Sequence, residues 1–325
     1  MSHPRNNHAP VEARYIRYIY TISFSYKEKD YIYYIYKIFL FYLISLLPLR
    51  VLYILSDGIY GILYYIIGYR KKVVRQNLMI AFPEKSDIER KKIEKAFYHQ
   101  FVDTFIEAIK LISMSPKEFS KRFSINIEVL NNLYATGQNV QLIAGHFFSW
   151  EFANLGIAKQ SKYPFIGVYM PLSNKVIDKI MFKMRSRFGT ILISASEFRN
   201  NFHKYASDRY TLALVADQNP GRLDRAFWAK FFTKPAPFVL GPEKGARASN
   251  AAVVFVDFYA VKRGYYKAEI ELVTTSPNYF KEGALTKLLI EKIETAIRKR
   301  PSNYLWSHRR WKWTEEAEKY AHLMI

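Results

Sequence analysis

Apolar residues recur along this chain with two different periods. Short runs rich in β-branched and aromatic residues, at 140–144, 165–169, 190–193, 211–216, 252–258 and 267–272, predict strands. Between them, residues 151–159, 175–187, 197–205 and 239–249 place apolar side chains at steps of three and four and predict helices. That alternation predicts an α/β layered domain with a largely parallel central sheet flanked by helices. Upstream, Ile88, Ile93, Phe97, Phe101, Phe105, Ile109 and Ile112 mark one face of a long amphipathic helix over residues 87–112, which Pro116 closes.

The amino-terminal part follows neither pattern. Residues 31–47 carry Lys37 as their only charge, and residues 51–69 carry only Asp57. Each run reaches the lower edge of the ~17–25 apolar residues that cross a bilayer. Arg70, Lys71, Lys72 and Arg75 follow at once, a cluster that the positive-inside tendency keeps cytoplasmic. The expected plan is a poorly ordered leader at 1–30, a membrane anchor with an interfacial helix at 31–69, and one catalytic domain at 70–325 facing the cytoplasm from the inner membrane. The alternative for 31–69 is a pair of buried core helices. Residues 218–237 show no period and read as a long loop. There Phe227, Trp228, Phe231 and Phe232 interleave with Arg222, Arg225, Lys230 and Lys234, which suits a segment dipping into lipid headgroups or a lid packed on the core.

Composition narrows the function classes. A net charge of +21 on 325 residues, with 50% hydrophobic and 17% aromatic content, excludes a disordered basic tail and implies a polyanionic partner. Nucleic acid, an anionic membrane, a phosphorylated lipid and an acidic carrier protein all qualify, and the apolar amino-terminal runs argue against nucleic acid. The absence of cysteine excludes disulfides, thiolate metal sites and a cysteine nucleophile. No metal-ligand spacing is present, and GPEKGAR at 241–247 lacks the ending of a phosphate loop.

Candidate chemistry centres on GHFFSWE at 145–151. His146 follows a predicted strand, and Glu151 lies about one helical turn on. An imidazole is suited to taking a proton from an alcohol near neutral pH, and a nearby carboxylate orients it. Taken alone, the spacing fits a structural histidine at a strand end better than a catalytic one. Asp217 also stands at a strand's carboxyl end, where the chemistry of such sheets gathers, and is a candidate substrate contact, brace or turn cap.

Four landmarks occur in order: GHFFSWE at 145–151, MRSRFGT at 184–190, VADQNPG at 215–221 and YLWSHRRWK at 304–312, preceded by VVRQNLMIAFPEKSDIERKKI at 73–93. Together they resemble the lipid A biosynthesis late acyltransferases of the wider bacterial lysophospholipid acyltransferase family, over about residues 46–312. The resemblance implies transfer of a fatty acyl chain from an acyl thioester, on acyl carrier protein or coenzyme A, to a hydroxyl of an anionic acylated glycolipid at the inner membrane, with no other cofactor. It implies His146 as general base and Glu151 as its orienting partner, where many relatives have Asp. Arg185, ahead of Arg187, would contact an oxyanion or phosphate, and only one of them enters the site, since residues two apart do not share a helix face; the alternative for either is a solvated surface cation. Asp217, Arg309 and Arg310 would bind substrate, the arginines as forks on phosphate, or Arg309 and Arg310 would instead pair with Asp or Glu in a structural role while the tryptophans pack. Ser149 as a nucleophile is disfavoured by the absence of a Gly-x-Ser-x-Gly elbow, and His308 has no role that His146 leaves open. Other lipid acceptors, such as an amino-acid lipid or lysophospholipid, use the same machinery. A non-enzymatic protein binding nucleic acid or a membrane surface is the rival of a different class.

Overall fold

The computed structural model describes residues 28–206 and 209–325, so most of the expected leader at 1–30 lies outside the described residues. The chain begins with helices α1 (Glu28–Leu46), α2 (Leu49–Gly61, continued by a π-helical turn Ile62–Ile67), α3 (Lys71–Ala81) and α4 (Asp87–Leu111). Then follow α5 (Pro116–Arg122), β1 (Phe123–Ile125), α6 (Glu128–Ala135), β2 (Val140–Ala144), α7 (Trp150–Gln160), β3 (Phe165–Tyr169), α8 (Lys175–Arg185), β4 (Ile191–Ser194), α9 (Phe198–Asn201) and β5 (Thr211–Val215). A hairpin of β6 (Ala226–Phe231) and β7 (Lys234–Val239) precedes α10 (Gly241–Ala248), the long strands β8 (Ala252–Lys262) and β9 (Tyr265–Thr274), and α11 (Ala284–Lys299).

Seven strands form one sheet in the order β1-β9-β8-β2-β5-β3-β4, with every pairing parallel except β8 with β9. The expected α/β architecture is the observed one. Strand β2 is buried along its whole length, as a central parallel strand covered on both faces must be. From β2 the chain winds outward through β3 to β4, returns to β5, and then crosses to β8 on the other side of β2. Winding therefore reverses at β2, and a crevice opens at the carboxyl ends of the strands there. Helix α7 packs close on β1 because Gly156 has no side chain; a Cβ there would lie 2.0 Å from the Phe123 ring.

Four expectations are corrected. Residues 218–237 are not a free loop, because β6 and β7 pair in register from Ala226↔Val239 to Phe231↔Lys234. Phe227, Trp228, Phe231 and Phe232 are buried against the carboxyl-terminal segment, so their rings do not reach lipid. Pro116 does not close the long helix; α4 ends at Leu111, and Pro116 opens α5 behind the N-cap Ser115. The apolar stripe of α4 is not its whole buried face, since Ile88 is 71% and Phe105 50% exposed. Polar residues on the same helix are inside: Glu94 holds Arg75, Asp103 holds Ser56 and Arg263, and Glu107 accepts from Tyr53 and Tyr266.

Helix α2 and its π-helical turn, Leu49–Ile67, form the one helix among the described residues long and apolar enough to cross a membrane. One face turns Leu52, Tyr53 and Ser56 to the protein body, while Ile54, Leu55, Ile59, Ile62, Tyr65 and Ile66 are exposed.

Candidate active site

The register Ala144↔Val215 sets the carboxyl ends of β2 and β5 side by side, so the residues just beyond them meet although they are 71 positions apart. Gly145 makes the turn out of β2. A Cβ at that position would sit 3.0 Å from the Phe147 ring and 3.3 Å from Ile293, so a residue without a side chain allows the backbone to fold this tightly. His146 then places Nδ1 at 2.7 Å from Asp217 Oδ1. Its backbone N–H donates to both carboxylate oxygens at 3.1 and 3.2 Å. The Tyr304 hydroxyl lies beside the same carboxylate and favours its charged form.

Asp217 is fully buried, and burial alone raises a carboxyl group's pKa. The attraction to His146, its two kinds of hydrogen bond and the Tyr304 hydroxyl outweigh burial and hold Asp217 down at about 2. A carboxylate only accepts, so the proton between the pair sits on Nδ1 and the imidazole lone pair is on Nε2. His146 is 25% exposed. An imidazole held in one tautomer with its other nitrogen open can take a proton from an alcohol, and a permanent carboxylate stabilises the resulting cation.

The turn is held from behind by the carboxyl-terminal segment. Leu305 N–H donates to the His146 carbonyl at 3.1 Å, and Asn303 accepts from Phe148 N–H at 3.3 Å while donating to the Phe258 carbonyl at 2.8 Å. Asn77 of α3 donates to the carbonyls of Trp306 and His308, both at 2.7 Å, and Arg70 donates to Ser307 O at 3.0 Å.

Glu151 stands elsewhere. It begins α7 just after Ser149, whose left-handed backbone (φ 64°, ψ 32°) is unusual for a residue with a side chain. Its carboxylate accepts from Arg185 Nε at 2.9 and 3.0 Å and from Nη2 at 2.6 Å, with Trp150 Nε1 at 2.9 Å as a further donor. Burial would weaken the Arg185 guanidinium, and Glu151 more than offsets this and raises its pKa. The spacing expectation paired His146 with Glu151; the structure pairs His146 with Asp217 and Glu151 with Arg185.

The remaining candidates are dispersed. Arg187 is exposed, donating to the Leu111 carbonyl at 3.0 Å with its guanidinium over Phe188. Arg309 is exposed, and its carbonyl accepts from Asn219. Arg310 is 1% exposed, forks onto Asn219 Oδ1 and Pro237 O at 2.8 Å each, and lies over the Phe238 ring. That arginine fastens the β6–β7 hairpin from inside rather than presenting itself to a headgroup, and burial pushes its pKa down to about 10. His308 is held down to about 4, by burial first and then by Arg310, and its buried Nε2 has no hydrogen-bond partner among the described residues. Sequence reasoning missed Asn77, Asn303 and Tyr304. Asn77 and Tyr304 lie inside the quoted motifs and Asn303 immediately before one, but none carries a charge that marks it.

A family model described as bacterial lipid A biosynthesis acyltransferase matches residues 22–313. The chain belongs to that family. It is accordingly an acyltransferase, as the order of its motifs indicated. A lipid A biosynthesis palmitoleoyltransferase of Escherichia coli (strain K12) is 24% identical over 275 residues, covering 82% of this chain and 86% of the relative. A lipid A biosynthesis lauroyltransferase of the same organism is 25% identical over 279 residues, covering 85% and 90%. A lipid A biosynthesis acyltransferase 2 of Shigella flexneri is 23% identical over 238 residues, covering 71% and 74%. The two Escherichia coli relatives are named for different acyl chains, so membership in the family does not fix chain length.

Proposed function

We propose that this chain transfers a fatty acyl group from acyl carrier protein to a hydroxyl of a lipid A precursor at the cytoplasmic face of the inner membrane, with His146 as the general base. The observation that carries this reading is the 2.7 Å pair of His146 Nδ1 with the buried Asp217 carboxylate. Nε2 takes the proton of the acceptor hydroxyl as its oxygen bonds to the thioester carbonyl carbon. Collapse of the tetrahedral intermediate breaks the carbon–sulfur bond, and the imidazolium returns its proton to the departing thiolate. No covalent acyl-enzyme forms. In this reading Asp217 acts through His146, Tyr304 and Asn303 hold the pair in place, and Glu151 with Arg185 fixes the start of α7.

Membrane association rests on helix α2 and its π-helical turn. Its inward face is tied to the body by Tyr53, Ser56 and Asp57, and its outward face is aliphatic and aromatic, a division that suits a helix lying in the interface more than one crossing the bilayer. The basic residues that follow at 70–75 match an anionic leaflet, and the net charge of +21 suits an acidic carrier protein.

The test is turnover of acyl-loaded carrier protein and a phosphorylated, acylated glucosamine disaccharide by purified full-length chain. His146→Ala is expected to lower the rate by about a thousandfold or more with circular dichroism unchanged. A variant that still turns over at the wild-type rate overturns the mechanism.

A further inference from the structure

A cleft of about 470 Å³ opens beside the catalytic turn, between the π-helical end of α2, helix α4 and the tip of the β8–β9 hairpin. Strand β2 pairs with β8 only as far as Ile143↔Phe255, so β8 continues past the carboxyl edge of the sheet to Lys262, and its tip stands on the same side as His146. The floor of the cleft includes Phe148 and Ser149, which follow His146 in the same turn. The opposite wall includes Tyr60, from the helix whose other face is exposed and apolar.

The charges in this cleft do not cancel. Arg263 is matched by Asp57 at 2.7 Å and Asp103 at 2.6 Å, and His99 lies between the same two carboxylates at 3.0 and 3.4 Å. Lys95 and Lys262, both exposed and both lining the cleft, have no carboxylate partner within salt-bridge distance among the described residues, so the rim is positive. Rings of Tyr60, Phe148 and Tyr266 supply flat apolar walls. Gln100 also lines the cleft; its Nε2 donates to Ser302, and its buried Oε1 has no hydrogen-bond partner among the described residues. The volume is within the range of about 300–1,000 Å³ typical of small-molecule sites.

We propose that this cleft is the headgroup subsite of the acceptor, taking a phosphorylated sugar with its phosphate between Lys95 and Lys262 and its ring against the aromatic walls. The assignment rests on the function proposed above. A lipid headgroup is favoured over the phosphate-bearing arm of a carrier protein because one wall belongs to the apolar helix, where a lipid's chains remain in contact with that helix while its headgroup enters.

The experiment measures binding without turnover. Wild-type full-length chain and the doubly charge-reversed variant, Lys95→Glu with Lys262→Glu, are titrated in neutral detergent, with no acyl donor, against a phosphorylated acylated glucosamine disaccharide and against the same lipid after phosphatase treatment, and separately against a soluble S-acyl phosphopantetheine. Both lysines are on the surface, so the variant folds. The expected result is a rise in Kd of about tenfold or more for the phosphorylated lipid and less than about twofold for the dephosphorylated one. Equal weakening of both lipids, no weakening, or weakening confined to a soluble S-acyl phosphopantetheine overturns the assignment. Wild-type turnover of the same lipid, measured separately, isolates the functional reading. Turnover with an unaffected Kd removes only the cleft assignment, whereas binding that depends on the lysines without any acylation removes only the proposed reaction.

Discussion

Two acid–base pairs flank one turn of this chain and are built to opposite ends. His146 with Asp217 joins the tips of two parallel strands and leaves a ring nitrogen open on a residue that is 25% exposed. Arg185 with Glu151 joins the end of α8 to the start of α7 and commits both partners, with three guanidinium contacts on one carboxylate. The first pair is suited to moving a proton, and the second to holding a backbone still. The spacing from 146 to 151 therefore reads as a single dyad in the sequence but comprises one half of each pair.

The largest expected effect separates the pairs. Asp217→Asn keeps the shape and removes the charge that fixes the tautomer and stabilises imidazolium, so transfer should fall by about a thousandfold, read from initial rates. Because Asp217 is held down at about 2 against an ordinary 3.8, its contribution to stability is complete above the ordinary value and is lost as pH falls through about 2. Acid denaturation of the asparagine variant should lack that component. A near-normal rate in this variant would break the contrast between the pairs.

Glu151→Gln should act on folding before chemistry. It leaves the mostly buried Arg185 without its charge partner, which costs about 3–5 kcal/mol in comparable sites and is measured by chemical denaturation. Lost transfer with unchanged stability would move Glu151 into the reaction and return the spacing to its simplest reading.

Glu107 sharpens the comparison, because its partners are hydroxyls rather than a cation. Burial raises this carboxyl to about 7, against the lowering effect of the Tyr266 and Tyr53 hydroxyls. The folded state keeps the proton to about 7, while the unfolded chain loses it near 4.5. Wild-type stability should thus fall as pH rises between those values, by at most about 3 kcal/mol, and then level off. Glu107→Gln should show a flatter profile in thermal melts across the same range, and an unchanged slope would show that this carboxyl is ionised throughout.

Strands 140–144 and 165–169 were readable to the residue because central parallel strands are continuous apolar runs. The placement of His146 and Asp217 at strand ends was readable for the same reason, but their contact was not, since it depends on β5 pairing with β2 across an intervening β3–β4 excursion. The β6–β7 hairpin was hidden by Pro235 and Pro237, which suppress a strand reading although a two-stranded edge tolerates them. Helix α11 carries Leu285, Leu289, Ile293 and Ile297 at steps of four, but no motif in the sequence singles it out. The polar face of α4 could not be recognised as interior without Arg75, Tyr53, Arg263 and Tyr266, which come from distant parts of the chain.

Tyr304, which lies beside Asp217, and Leu305, which holds the His146 carbonyl, come after every described strand of the sheet. A polypeptide cut just ahead of them retains all nine described strands yet loses the clasp on the His146 turn. The same cut would also unfasten the β6–β7 hairpin, which Arg310 holds from inside, so a chain shortened at that point loses the support of its catalytic turn and of its hairpin together.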